Sequence, residues 1–200
     1  QRADLRSLCC LTIDPEEARD FDDAVSVETL AGGGYRLGVH IADVSHFVQP
    51  GTALDREACA RGTSVYLIDR VIHMLPERLA AELCTLKSGE DRLAVSVSIE
   101  MDAAAEVVGF ELQESVIRSA GRLTYREVQA VFDGEDEEMG GAVGFSEPLQ
   151  LLRQISKKRG TVRRRRGALD FDLPEPRVEV DAKGVPTGLG RYPRLESHRL

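Results

Sequence analysis

Residues 8–28 read Leu8-Cys9-Cys10-Leu11-Thr12-Ile13-Asp14-Pro15-Glu16-Glu17-Ala18-Arg19-Asp20-Phe21-Asp22-Asp23-Ala24-Val25-Ser26-Val27-Glu28. Leu8–Ile13 is apolar and reads as a strand that stops at Asp14. Ala24–Glu28 alternates with the period of two that marks another strand. Between them, Pro15-Glu16-Glu17 has the form of a first helical turn, with Asp14 as N-cap, Pro15 at the first helical position and Glu17 three residues after the cap. Gly32-Gly33-Gly34 then turns the chain and Tyr35–Ile41 returns, which predicts a hairpin.

The same stretch gathers Asp14, Asp20, Asp22 and Asp23, with Glu16 and Glu17 among them and Arg19 as the one base. Like charges this close raise one another's proton affinity, so the fold must tolerate the repulsion or supply a cation. Carboxylate oxygens suit a hard ion, Mg²⁺ or Mn²⁺. A helical backbone over 20–23 would put Asp20 and Asp23 on one face; an extended one would pair Asp20 with Asp22. Two readings stand at this point. Asp14 is only a helix cap and the rest a solvated acidic loop, or the four aspartates hold a metal. Phe21 and the apolar strands on both sides argue for a packed loop.

Working outward, Leu54–Arg61 and Glu77–Leu83 suit short helices. Leu93–Met101 and Val107–Val116 alternate as a second hairpin. Thr124-x-x-Glu127 opens a helix through Phe132 as a capping box. Gly134–Glu147 reads as a mobile, acidic, Gly-rich loop. A longer helix runs from Pro148 to about Arg159 or beyond, its cations near the negative pole of its dipole. Arg177–Asp181 and Val185–Leu189 form a third hairpin. Hairpins dominate over strand–helix–strand alternation, so the class is α+β (mixed α/β), an antiparallel hairpin-rich sheet with flanking helices.

The 200 residues are 42% apolar, enough for the core of one domain. No apolar run approaches the about 18 residues of a membrane span, so no membrane partner is expected. Gln1-Arg2-Ala3-Asp4 lacks the basic and then apolar blocks of a signal peptide. The net charge of −8 speaks against nucleic acid only on average. Residues 133–138 hold five acids and residues 157–166 seven bases, and the basic cluster is the electrostatic footprint to follow. Cys9, Cys10, Cys59 and Cys84 show no C-x-x-C spacing, which predicts reduced, mostly buried thiols and a cytoplasmic protein.

The pattern Thr12-Ile13-Asp14-x-x-x-x-x-Asp20-x-Asp22-Asp23-Ala24 resembles the signature of the ribonuclease II/ribonuclease R catalytic (RNB) domain. The likeness continues in order through His40–Val48, Gly51, Leu54-Asp55, Thr63–Leu67, Met74-Leu75-Pro76, Leu83–Leu86, Leu123-Thr124-Tyr125, Arg159-Gly160 and Gly167–Phe171. It covers residues 8 to 200, and several blocks in register are far more specific than one acidic motif. The resemblance implies a mixed α/β catalytic domain with a buried RNA channel ending at a metal site. It further implies a monomeric 3′→5′ exoribonuclease that hydrolyses single-stranded RNA with Mg²⁺ or Mn²⁺ and releases nucleoside 5′-monophosphates. Asp14, Asp20, Asp22 and Asp23 are the implied catalytic and metal residues. Tyr66 and Phe171 are implied to clamp the stacked terminal nucleotides, and Tyr125 to contact RNA nearby. Residues 1–200 are expected to be one domain that stops short of the family domain's C-terminal part, without the OB-fold domains that usually flank it.

Apart from the resemblance, Tyr66 and Phe171 would be ordinary core aromatics. Arg163, Arg164, Arg165 and Arg166 are either a solvated helix end or a set of phosphate contacts along an RNA path. His40 and His46 flank Asp43. A hydrogen-bonded structural role is expected for His40, and for Asp43 a supporting role beside the metal loop. His73 reads as a loop residue near the channel. Two other readings remain open: an RNA-binding relative that has lost hydrolysis, and an unrelated metal-dependent phosphatase or nucleotidyl transferase.

Overall fold

The computed structural model describes residues 1–200 apart from 69, 172 and 183, and residue 136 by its backbone alone. Among the described residues ten strands occur, β1 Ala3–Asp4, β2 Cys10–Asp14, β3 Asp23–Thr29, β4 Tyr35–Ala42, β5 Val65–Tyr66, β6 Val71–Ile72, β7 Asp91–Met101, β8 Val107–Thr124, β9 Pro176–Val180 and β10 Pro186–Arg191. The α-helices are α1 Val44–Phe47, α2 Ala53–Arg61, α3 Tyr125–Asp133 and α4 Ser146–Arg165. This is the expected mixed α/β class.

The main sheet runs β1-β8-β2-β3-β4-β7, and β8 also pairs with β7, so β2, β3, β4, β7 and β8 close into a ring. β3–β4 and β7–β8 are the antiparallel hairpins that the alternation predicts, and an antiparallel β4–β7 pairing joins them. The closing pairings are different: β8 continues past Val116 to Thr124 and lies parallel to β2, with Thr12 beside Arg122 and Asp14 beside Thr124. No local pattern announces a parallel pairing between segments so distant in sequence.

Polar side chains cross the buried face of the ring. His40 Nε2 is 2.9 Å from Ser26 Oγ, and Nδ1 is 2.7 Å from Ser96 Oγ. Ser96 Oγ is 2.6 Å from Ser115 Oγ, and Ser115 Oγ donates to the Ala94 carbonyl at 3.2 Å. That carbonyl can only accept, which fixes the direction of the whole chain. Ser96 donates to Ser115, His40 donates from Nδ1 to Ser96, and Ser26 donates to Nε2. His40 is therefore the structural histidine expected from sequence, 1% exposed and with both ring nitrogens satisfied.

Helix α3 begins with the predicted capping box: Thr124 accepts from the Glu127 backbone N–H, and Glu127 accepts from that of Thr124. Val128, Val131 and Phe132 pack with Leu11, Leu123, Leu149 and Leu152 in one core. The following segment is not the mobile loop expected. Short 3₁₀ turns cover Asp136–Glu138 and Gly140–Phe145, and the buried Met139 and Ala142 anchor them to that core. Apolar side chains decide here over the Gly and acid content. Leu79–Leu83, predicted helical, forms a π-helical turn. Of the cysteines, Cys10 and Cys84 are buried but Cys9 and Cys59 are exposed, and all four are free. Among the described residues no helix is long and apolar enough to cross a membrane.

Candidate functional site

The acid loop, residues 15–22, leaves the end of β2 and returns into β3. It forms no helix, contrary to the sequence expectation; its one local bond is from Ala18 N–H to the Pro15 carbonyl at 3.1 Å. The loop is tethered from β8 instead: Arg122 Nη2 donates to the Pro15 and Glu16 carbonyls, both at 2.9 Å, and the Pro15 oxygen accepts from Arg122 and from Ala18 together. The guanidinium also lies over the Phe21 ring, 5.4 Å from the centroid. The far end of the loop is pinned by Phe21 N–H to Thr85 Oγ1 at 2.7 Å, Leu86 N–H to the Phe21 carbonyl at 2.8 Å and Ala42 N–H to the Asp22 carbonyl at 2.9 Å. Phe21 itself packs against a core that includes Cys84 and Leu86, so the loop is packed rather than floating.

Asp14 is therefore not a helix cap. Its Oδ2 is buried without a hydrogen-bond partner, as is the hydroxyl of Thr12 two residues earlier on the same strand. Burial first, and then the charge of Asp23, push the Asp14 carboxyl up to about 6, with Arg122 opposing. Asp22 is raised by burial and then by Asp20 and Asp23, although its outer side is open to solvent. The four aspartates are thus coupled, but unevenly. Among the described residues no three acidic, histidine or cysteine side chains form a ready metal cage. What the loop offers is a set of hard oxygen donors at mutual repulsion, one of them a buried acceptor lacking any donor. That donor set suits a divalent cation.

Two tyrosines border the loop. Tyr66 donates its hydroxyl to Asp20 Oδ2 at 2.8 Å, which places its ring at the acids while leaving the residue 64% exposed. That bond, ahead of burial, raises the phenol to about 12. It is therefore no core aromatic. Tyr125, at the start of α3, is raised by burial and then by Asp14 and Asp23. Its ring meets His198 edge-on at 4.5 Å. Phe171 is 67% exposed, and its described bond is a carbonyl accepting from Arg194 at 3.2 Å.

His198 also lines a cleft of about 1250 Å³ between α4, the β3–β4 face and the C-terminal segment. The cleft holds Lys157, Arg159, Arg163, Arg164, Arg194 and Arg199 against apolar Val25, Leu37 and Val39. The arginine run divides accordingly. Arg163 and Arg164 line the cleft, whereas Arg166 pairs with Glu106 at 3.1 Å and neither it nor Arg165 is part of the lining. The aspartates are not part of this cleft either; His198 and Tyr125 are the link between it and the acid loop.

Asp43 is tied to its own surroundings. Its carboxylate is bound by Arg2 and Ser45 and caps α1 through the His46 N–H. His73 has a buried Nδ1 without a partner, and its carbonyl accepts from Arg61. Sequence reasoning missed Arg122, Thr85 and His198. The first two sit beside or within stretches already singled out, Leu123-Thr124-Tyr125 and Leu83–Leu86, so their position was a signal although their type was not.

A ring of strands that carries an acid loop between aromatic side chains defines a class. The family model described as the RNB domain matches residues 2–200, and the chain belongs to that family. Ribonuclease R of Aquifex aeolicus (strain VF5) is 44% identical over 200 residues, 100% of this chain and 28% of that protein. A protein named "Inactive exonuclease DIS3L2" from Arabidopsis thaliana is 41% identical over 196 residues, 93% of this chain and 19% of its own length. Among solved structures, Mycoplasma genitalium RNase R in complex with ribose methylated single-stranded RNA superimposes with a TM-score of 0.92 at 29% identity, covering 99% of this chain and 31% of that one. The chain spans about a quarter of the length of the curated relatives it matches.

Proposed function

We propose that the protein containing this chain is a divalent-metal-dependent exoribonuclease that hydrolyses single-stranded RNA from its 3′ end and releases nucleoside 5′-monophosphates. The observation that carries the reading is the packed, mutually repelling set Asp14, Asp20, Asp22 and Asp23, with Tyr66 and Tyr125 against it. Similarity to ribonuclease R supports the substrate class.

Asp14, Asp20, Asp22 and Asp23 would hold Mg²⁺ or Mn²⁺. The buried, donorless Oδ2 of Asp14 is the structural feature that such an ion would satisfy. When bound, the metal supplies activation of water and stabilisation of charge on the leaving oxygen. The chain's own residues do the rest. Tyr66 and Tyr125 present ring faces on which bases of any identity stack, at about 1–3 kcal/mol each. Arg163 and Arg164 neutralise phosphates and set the strand's course without reading sequence, whereas Lys157, Arg159, Arg194 and Arg199 are paired with Glu196, Glu106 and Asp170. Phe171 enters this picture only through its proximity in sequence to those bases. A monomeric, cytoplasmic enzyme completes the proposal.

The test is Asp22→Asn in the full-length protein, with 3′-labelled single-stranded RNA and a wild-type control. Loss of mononucleotide release is expected; normal degradation by the variant would refute the reading. The relative named as inactive supports one alternative, an RNA-binding protein without hydrolysis. Wild-type protein that binds the RNA but releases no nucleotide with Mg²⁺ or Mn²⁺ would favour it.

A further inference from the structure

We propose that Arg122 is the positioning residue of the acid loop: from β8 it fixes the Pro15–Glu16 turn and the Phe21 ring together, and so sets how Asp20, Asp22 and Asp23 approach Asp14. The inference rests on the metal reading above and extends it to a residue outside the carboxylate set.

The two halves of the loop are held differently. Phe21 and Asp22 are tied by backbone bonds to Thr85, Leu86 and Ala42. Across Pro15 and Glu16 the tethers from elsewhere in the fold are the two bonds from Arg122. One Nη2 carries two hydrogens, and two carbonyls take one each, so the nitrogen is used in full. The flat face of the same guanidinium covers Phe21, which joins the loosely held half to the firmly held one. A lysine ammonium could donate to both carbonyls but has no flat face to lay over Phe21.

Arg122 is itself well placed to act as a fixed post. Its backbone lies in the parallel β2–β8 pairing opposite Thr12, two residues before Asp14. Its Nε is buried without an acceptor, while Asp14 Oδ2 is buried without a donor. These complementary defects flank the loop, and the two charges attract. Arg122 touches no reacting atom in this arrangement; it works through the loop.

Three measurements on the full-length protein, comparing wild type with Arg122→Gln and Arg122→Lys, test this. First, amide exchange of residues 16–23 without metal or RNA: about tenfold faster in Arg122→Gln is expected, with β7 and β8 unchanged. Second, calorimetric titration with Mn²⁺ alone: about 10–100-fold weaker binding is expected, as for other residues that orient metal ligands. Third, steady-state RNA hydrolysis: kcat falls about 10–100-fold with KM for RNA nearly unchanged. Arg122→Lys should be intermediate in all three, and free guanidinium should partly restore the Gln variant. Should Arg122→Gln fail to fold, Arg122→Lys is read alone against the same expectations. Wild-type loop exchange and Mn²⁺ affinity in the folded variants would overturn the proposal. The exchange experiment needs neither metal nor catalysis, so it decides the role of Arg122 even if Asp22→Asn shows the nuclease reading to be wrong.

Discussion

His40 makes the stability of the ring depend on acid in a predictable way. Burial pulls its imidazole from an ordinary 6.5 down to about 4, and in the neutral ring both nitrogens are already bonded to serines. Above pH 6.5 the ring is neutral whether the chain is folded or unfolded, and it contributes no pH dependence. Between 6.5 and 4 the unfolded chain takes up the proton and the folded one does not, so stability falls as pH falls. Below about 4 both states are protonated and the loss is complete. A gap of this size amounts to about 3 kcal/mol, a large share of a typical domain's stability. The assay is urea unfolding at pH 7, 6, 5 and 4 for wild type and His40→Gln. At pH 7 the variant is less stable, having lost a buried network. As pH falls the two curves approach each other, because carboxylate titrations are common to both. A wild-type advantage that stays constant or widens from pH 7 to 4 refutes the reasoning.

Other outcomes follow from single contacts. Tyr66→Ala should weaken single-stranded RNA binding by about 1–3 kcal/mol, while Tyr66→Phe keeps most of it, as measured by fluorescence anisotropy; equal losses would mean that the hydroxyl bond to Asp20, not the ring, does the binding. Thr124→Ala removes the cap of α3 and should cost about 1 kcal/mol in denaturant unfolding. Gly38→Ala would place a Cβ 2.3 Å from Ser26 Oγ and 2.7 Å from His40 Nε2, so a loss of about 1–3 kcal/mol is expected by thermal melting.

Local chemistry made much of this molecule legible in advance. The alternation of Ala24–Glu28, Tyr35–Ile41 and Leu93–Met101 placed strands that the structure contains, because burying one face of a sheet imposes a period of two. The Thr124–Glu127 pair placed a helix start to the residue. The aspartates stood out because repulsion between them needs a reason. What stayed hidden depends on partners far along the chain. The Pro15 turn looked helical, but residues 15–22 are held by bonds to Arg122, Thr85, Leu86 and Ala42, and Asp14 looked like a cap until a parallel neighbour closed over it. Gly134–Glu147 looked loose because two small apolar anchors, Met139 and Ala142, carry little signal among glycines and acids. Phe171 and the split among Arg163–Arg166 turn on tertiary placement that composition does not encode.

The long β8 strand imposes an order of assembly. Its first half extends a hairpin with β7 and can zip up as soon as both have been synthesised, whereas its last residues must find β2, which was made near the start. Loops that large close late, and parallel closure is slow. On the ribosome, then, β2 can meet β3 early, but its other edge waits for the parallel partner until position 124 has emerged. Of the acid loop's tethers, those to Ala42, Thr85 and Leu86 are available first, and the grip of Arg122 on the Pro15 and Glu16 carbonyls arrives last, with the sealing of the ring.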